Sequence, residues 1–382
     1  MVKILTVIGA RPQIIKAAAL SRAIGLAYRE KIKEVIMHIG DEYDEDMSDE
    51  FFDEMKIPKP NYHIKLGSDM HGKQIAKMIA GVEQVIQKEK PSAVLVYSDT
   101  SSSLAAALSA SKLQVPVIHV EAGLRSFNKS IPEEINRILC DHVSTLLFTP
   151  TEAGYYNLMS EGFKEGGEPP YSINSPKIYH CGDVLYDNMK FFTEMVENHS
   201  TIIEERLLAD IKYNLVTIHR DNNTNDPKRM NALFSAIHKI ANENDVKMVL
   251  PLDGRTTKRL KKNLTANFFN SIKSNPLIQI LPSVSYMDMI ALENNAAMIL
   301  TDSGGVQKEA YFFKKPCIIL RSETEWVELV DNGNAIVADA DEQQILSAYE
   351  HLSTKTDFSY PPIFGDGKAS LFICDKIVNH LS

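Results

Sequence analysis

Val117-Ile118-His119-Val120-Glu121-Ala122-Gly123-Leu124-Arg125, continued by Ile131-Pro132-Glu133-Glu134-Ile135-Asn136-Arg137, is the stretch on which the reading of this chain turns. It opens as an apolar strand, runs into a carboxylate, and passes through a short arginine-bearing loop to a proline-started helix with two more acids. In open α/β sheets, ligands bind outside the carboxyl ends of the strands. Three acids and two arginines just past a core strand therefore mark a candidate site. A solvated loop with a structural Glu-Arg pair is the other reading of any one of them.

Outward from this stretch the chain alternates strand and helix. Towards the N-terminus, Ala93–Tyr97 is an apolar strand that ends in Ser98-Asp99-Thr100 before an alanine-rich helix over 102–112, with Asp99 or Thr100 as its N-cap. The spacing predicts an amphipathic helix over 71–89 and a short helix over 47–55. A strand over Glu34–His38 ends in the polar loop Gly40-Asp41-Glu42-Tyr43-Asp44. At the N-terminus, Lys3–Ile8 is a strand, Gly9-Ala10-Arg11-Pro12 a tight turn, and Ile14–Ile24 a helix. Arg11 and Lys16 are placed at the start of that helix, where free backbone N–H groups favour an anion. For Arg11 a surface turn residue is the other reading. No GxGxxG follows the first strand, so the dinucleotide fingerprint is missing.

Past the strand Thr145–Phe148, the Gly-, Pro-, Ser- and Asn-rich stretch 164–176 is expected to be an interdomain linker. A second alternation is expected from Lys177–Cys181 onward, with strands at Tyr213–Ile218, Lys247–Leu252, Leu277–Leu281, Ala297–Thr301 and Cys317–Leu320. Polar residues stand at their ends: His219 and Arg220, then Asp253, then Asp302-Ser303-Gly304-Gly305, then Arg321. Residues 366–382 are expected to be a last helix.

The sharpest motif is Thr301-Asp302-Ser303-Gly304-Gly305-Val306-Gln307-Lys308-Glu309. A strand ends, two glycines allow close backbone approach, and a helix N-terminus presents N–H groups suited to a diphosphate. Glu309 could accept hydrogen bonds from the hydroxyls of a ribose. A glycine turn with an N-cap is the bland alternative. His219 beside Arg220 favours an anionic ligand over a packed core histidine.

Composition narrows the classes. With 382 residues the chain suffices for two domains, and 44% hydrophobic with 24% charged residues is a soluble globular balance. A net charge of -9 argues against general nucleic-acid binding. The four cysteines, Cys140, Cys181, Cys317 and Cys374, are widely spaced without a CxxC pair, so free thiols are expected and no zinc site. No apolar run approaches the roughly 20 residues of a membrane span, and the first strand is too short for a signal peptide, which points to the cytoplasm.

Taken together, Gly9-Ala10-Arg11-Pro12, Asp99-Thr100, His119 to Arg125, Pro132 to Arg137, His219-Arg220 and Asp302 to Gly305 resemble the non-hydrolysing UDP-N-acetylglucosamine 2-epimerases over essentially the whole chain. Ser126-Phe127-Asn128 and Thr324 to Leu329 look most like the branch acting on UDP-2,3-diacetamido-2,3-dideoxyglucuronate. The resemblance implies an α/β glycosyltransferase-B fold, two Rossmann-like domains facing across a cleft. Residues 1–175 plus 364–382 would form the first and 176–363 the second, UDP-binding one. It implies elimination of UDP to a 2-acetamidoglucal and re-addition with C2 inverted, no cofactor or metal, and a homodimer. By resemblance Asp99, Glu121, Glu133 and His219 are catalytic. Arg11, Lys16, Arg125, Arg137, Arg220, Ser303, Gly304, Gly305, Glu309 and Arg321 would bind the UDP-sugar.

The chain departs from the family pattern at four places. Ser98 stands for the family glycine, Asp41-Glu42 for Gln-His, Asn222 for a glutamate, and Asp253 for a histidine. These substitutions leave the catalytic set intact. A hydrolysing epimerase, a retaining glycosyltransferase and an inactive nucleotide-sugar sensor are the alternatives.

Overall fold

The computed structural model describes residues 1–40, 49–67, 70–165 and 167–381. Asp41, Glu42, Tyr43 and Asp44 lie outside the described residues. Two compact units divide the chain, Met1–Asn188 with Pro362–Ser382, and Met189–Pro361.

The first unit carries β1 (Val2–Ile8), β2 (Ile32–Ile39), β3 (Tyr62–Ile64), β4 (Ala93–Tyr97), β5 (Val117–Val120), β6 (Leu146–Thr149) and β7 (Lys177–His180). They form one seven-stranded sheet in the order β3-β2-β1-β4-β5-β6-β7, parallel at every pairing. The central strands read as unbroken apolar runs because helices cover both faces of such a sheet. Val94, Val96 and Val117 pack with Met78, Val82 and Ile86 of the helix His71–Glu89 and with the alanines of Ser101–Lys112. Small side chains let that second helix lie close against the sheet.

β7 corrects the sequence reading. Lys177–His180 pairs with Leu146–Thr149, so this strand closes the first sheet rather than opening the second. Residues 164, 165 and 167–176 accordingly run within the first unit. Their polar, glycine-rich composition marks an exposed excursion, and composition alone does not separate such an excursion from a linker.

The second unit carries β8 (Tyr213–Thr217), β9 (Lys247–Pro251), β10 (Ile278–Leu281), β11 (Met298–Thr301), β12 (Cys317–Ile319) and β13 (Ala335–Val337). Their order is β10-β9-β8-β11-β12-β13, again all parallel. Its core gathers Val216, Phe234, Ile237, Leu250, Leu300 and Ile318. The terminal helix Ala369–Leu381 belongs to the first unit, and Asp187 accepts from the Ala369 and Ser370 N–H groups at 3.1 and 2.7 Å.

Each sheet reverses its direction of winding once, between β1 and β4 and between β8 and β11. At such a switch point the two connections leave in opposite directions and open a crevice above the strand ends. Arg11 follows β1, Ser98 and Asp99 follow β4, His219 follows β8, and Ser303 follows β11. In both units the candidate residues therefore stand where a doubly wound sheet receives ligands.

Candidate active site

In the first unit, Thr100 rather than Asp99 caps the helix Ser101–Lys112, its hydroxyl accepting from Ser103 N–H at 3.2 Å. Asp99 is thereby left to pair with Arg137, whose guanidinium also donates to Glu134 at 2.9 Å. Asn136 donates to the Asp99 carbonyl at 2.8 Å and holds the turn from below. Arg137 thus orients a carboxylate in this structure.

Glu121 is nearly buried, with a side chain 4% exposed, and is paired with Lys16 and the Ser98 hydroxyl. Lys16 also donates to Ser98 Oγ at 2.6 Å. Lys16 was expected to address an anion at the helix start, and the structure turns it onto Glu121. Both Glu121 (φ 72) and Ser98 (φ 58) lie in the left-handed region, which costs a residue with a side chain about 1 kcal/mol. That conformation is the physical reason a glycine suits position 98, and the serine offsets the strain with its bonds to Lys16 and Glu121.

Asp141 knits the opening stretch together. Its carboxylate meets His119 Nδ1 at 2.7 Å, Gly123 N–H at 3.1 Å and Arg125 Nη1 at 2.7 Å. Burial works to raise this carboxyl, but His119 and Arg125 hold it below its usual range. Gly123, at φ 80, has no room for a side chain, because a Cβ would stand 2.1 Å from the Gly154 carbonyl oxygen. Arg125 is spent in this network. Besides Asp141 it donates to both Glu161 oxygens at 2.7 Å and to the Leu124 carbonyl, with its side chain 1% exposed. Its donors serve the fold, which is at odds with a ligand-binding role.

The two adjacent acids separate cleanly. Glu134 is buried and accepts from Ser126 N–H, Phe127 N–H and Arg137, pinning the loop that precedes its own helix Pro132–His142. Glu133 is half-buried and, among the described residues, carries no hydrogen bond or ion pair. Arg11 is half-buried at the first turn of the helix Arg11–Ala23, its guanidinium 4.9 Å over the Phe51 ring. The sequence reading missed Gln13, which accepts from Gly9 N–H at 2.7 Å and donates to the Tyr97 carbonyl at 2.8 Å. It also missed His38, which donates from Nε2 to the Gly9 carbonyl at 3.1 Å and accepts on Nδ1 from His63. Burial lowers the His38 pKa to about 4. A buried polar residue at a strand end is the signal that points to each.

In the second unit, Asp302 organises the switch point. Its carboxylate accepts from the backbone N–H groups of His219 and Arg220, from Asn223 at 3.0 Å, and meets His219 Nδ1 at 3.0 Å. Burial pushes Asp302 up, and the His219 ring, the Asn223 amide and the Arg220 N–H outweigh it, holding the group below the usual carboxylate range. The His219 side chain remains 50% exposed. With Nδ1 committed to Asp302, Nε2 is the nitrogen left to meet a ligand.

Ser303 caps the helix Gly304–Phe312, accepting from Val306 N–H at 3.5 Å, and the N–H groups of the first helical turn lie outside the helix ladder. Gly304 leaves room for the Glu325 side chain, which a Cβ would approach to 2.7 Å. Arg321 is buried and reaches Glu325 at 2.9 Å, a supporting contact under this turn. Glu309 lies on the same helix, nearly buried, and accepts from Tyr286 Oη at 3.1 Å. Asp253 caps the helix Gly254–Asn263 by accepting from Thr256 N–H at 2.5 Å. Asn223, one residue past the departure at Asn222, is fully buried and ties Asp302 to the Leu320 carbonyl.

Cys140, Cys181, Cys317 and Cys374 are all free, and burial raises each thiol above its usual range. Among the described residues no helix is long and apolar enough to cross a membrane.

With this geometry in place, comparison with known proteins is decisive. A profile described as UDP-N-acetylglucosamine 2-epimerase matches residues 25–378. The chain belongs to the UDP-N-acetylglucosamine 2-epimerase family.

Among its relatives is a Pseudomonas aeruginosa UDP-2,3-diacetamido-2,3-dideoxy-D-glucuronate 2-epimerase, 41% identical over 98% of this chain and 99% of that protein. A UDP-N-acetylglucosamine 2-epimerase homolog of Methanococcus maripaludis is 42% identical, over 99% of both chains. The crystal structure of the Methanocaldococcus jannaschii UDP-GlcNAc 2-epimerase, in complex with UDP-GlcNAc and UDP, superposes with a TM-score of 0.87 at 37% identity and covers 99% of each chain. Two parallel α/β sheets, each Rossmann-like, are the glycosyltransferase-B type of architecture shared with this epimerase family.

Proposed function

We propose that the protein inverts C2 of a UDP-2-acetamido sugar by eliminating UDP and adding it back. The C2 proton of such a sugar is not adjacent to a carbonyl, so removing it directly is too costly. Breaking the C1–O bond leaves an electron-deficient C1 that makes the C2 proton acidic. The bond's electron pair leaves with the diphosphate, the C2 proton passes to a carboxylate, and C1=C2 forms. Return of UDP to C1 and delivery of a proton to the opposite face of C2 complete the inversion.

The observation that carries this reading is the Asp302–His219 pair at the head of the Ser303-Gly304-Gly305 turn. A histidine oriented by a carboxylate, beside exposed helix N–H groups, is suited to stabilising the charge that develops on departing diphosphate. Arg11 and Arg220 add positive charge, and Glu309 takes the ribose. Asp99, Glu121 and Glu133 supply the acid–base chemistry, with Lys16, Ser98 and Arg137 as their positioning groups. Arg125 is left out of the ligand set because four of its five N–H donors are engaged within the fold and its side chain is buried. The family also points to a homodimer in the cytoplasm, the compartment of nucleotide-sugar supply. The substrate is UDP-N-acetylglucosamine or its 2,3-diacetamidoglucuronate counterpart.

Proton NMR in deuterated water, with each UDP-sugar in turn, tests the proposal. Deuterium at C2 of a manno-configured product is expected with one of them. UDP released steadily with a free sugar would instead mark a hydrolysing epimerase. UDP binding without exchange in either substrate would favour a nucleotide-sugar sensor.

A further inference from the structure

Asn223 sits on the short helix Asp221–Asn225, just past β8, and is fully buried. Its amide is used completely. Nδ2 donates to Asp302 Oδ2 at 3.0 Å and to the Leu320 carbonyl, just past β12, at 2.9 Å. Oδ1 accepts from Arg229 Nε at 3.0 Å and from Arg229 Nη2 at 2.9 Å. Arg229 lies on the next helix, Pro227–Asn244, and its other edge grips Asp339, just past β13. There Nη1 donates to Oδ2 at 3.1 Å and Nη2 donates to Oδ1. With Oδ2 taken by Asn223, Asp302 turns Oδ1 to His219 Nδ1 at 3.0 Å. One chain of contacts therefore runs from Asp339 through Arg229, Asn223 and Asp302 to His219.

The direction of this chain follows from donor and acceptor types. A guanidinium holds only donors and a carboxylate only acceptors. Between them an amide fits one way round, oxygen towards Arg229 and NH2 towards Asp302. Turned over, it would set its oxygen against the Asp302 carboxylate and the Leu320 carbonyl, and its hydrogens against the guanidinium. The amide is buried, so solvent could not relieve either mismatch. We propose that Arg229 is a positioning residue for His219: braced by Asp339, it fixes the Asn223 amide, which fixes the Asp302 carboxylate and through it the ring orientation and the Nδ1 proton of His219. The inference rests on the reading of His219 as the group that meets the departing diphosphate. The fork geometry is the reason an arginine suits this place. One edge reaches the amide oxygen and the other a carboxylate, a pairing that the single ammonium of a lysine reproduces only in part. The chain also joins the ends of β8, β11, β12 and β13, four neighbouring strands, so the histidine is held by the sheet and not by its own loop alone.

Arg229→Met, Arg229→Lys and Asn223→Leu, each made also in a His219→Asn background, test the chain. Nitrogen-15 NMR of the histidine rings, with the His219 signals assigned by their loss in His219→Asn, reads its far end. Wild type should hold the proton on Nδ1, and Arg229→Met should populate both tautomers. In C2 exchange, Arg229→Met and Asn223→Leu should each lower kcat about tenfold, with Arg229→Lys recovering part of the loss. In the His219→Asn background the same substitutions should change kcat by less than about twofold, because the group they act on is gone. Melting curves separate lost positioning from lost fold, and the partly exposed Arg229 carries the test if Asn223→Leu does not fold. A folded Arg229→Met with wild-type His219 ring signals overturns the proposal. So does an equal loss of kcat in both backgrounds, or no loss where His219→Asn is itself impaired. If His219→Asn keeps wild-type kcat, the reading of His219 at the diphosphate fails instead, and the ring signals alone decide the role of Arg229.

Discussion

In the first unit the Glu121 side chain is 4% exposed and engaged by Lys16 and Ser98, while in the second the His219 side chain is 50% exposed and tethered through one nitrogen only. The contrast tracks the work each group is proposed to do. A carboxylate that exchanges a proton with carbon needs a defined orientation and a low local dielectric, so its partners surround it. A group that meets a mobile diphosphate needs one anchored face and one open face. Both units use a buried aspartate as organiser, Asp141 in the first and Asp302 in the second, and both keep it ionised against the cost of burial.

Removing the charge from one acid–base carboxylate is the strongest way to break this comparison. Glu121→Gln or Asp99→Asn should lower the rate of C2 exchange by about 10²- to 10⁴-fold while leaving UDP affinity within a few-fold. His219→Asn should also lose about 10²- to 10³-fold in kcat, but with weakened UDP binding in calorimetry. Equal effects of all three on UDP affinity would show that the division between units is not real.

The next largest effect falls on stability. Asp141→Asn removes the charge and one of the two acceptor oxygens shared by His119, Gly123 and Arg125, puts an NH2 against a donor, and should cost about 3–5 kcal/mol in chemical denaturation. Because the folded Asp141 pKa lies below its unfolded value, the wild-type contribution is present above pH 3.8 and is lost as pH falls through the folded value. The variant should lack that part of the acid dependence.

A pH series sharpens the comparison further. His38 holds the Gly9 turn as a neutral ring, with a folded pKa of about 4 against an ordinary value of 6.5. Its contribution is complete above 6.5 and is lost as pH falls towards 4, roughly 3 kcal/mol in total. His38→Gln should flatten stability across that window in thermal melts, whereas a slope unchanged by the substitution would assign it to other groups. Ser98→Gly has the smallest expected effect: relief of the positive φ is worth about 1 kcal/mol and the lost hydrogen bonds about as much. Its melting temperature should hardly move while C2 exchange slows a few-fold through a looser Glu121.

Much of this was legible in the chain. The apolar strands with polar ends, the helix over 71–89 and the turn at Ser303 stand where their periodicity and capping chemistry place them. Short edge strands were not legible, because β3 and β13, at three residues each, are too brief for a period to show. Nor does composition separate the excursion 164–176 from a linker, since both are polar and glycine-rich.

The sequence by itself determined the fold class, the polar residues at the strand ends, and the family, because these depend on local pattern and on motifs within one strand-turn-helix unit. Only the tertiary structure decided which charges serve the fold and which are left for a ligand. Glu134 reads like its neighbour Glu133, yet Glu134 accepts from Ser126, Phe127 and Arg137, and Arg125 pairs with Asp141 and Glu161. Such pairings are made by residues up to dozens of positions apart, and whether a charge finds a partner depends on which strand ends the sheet order brings side by side.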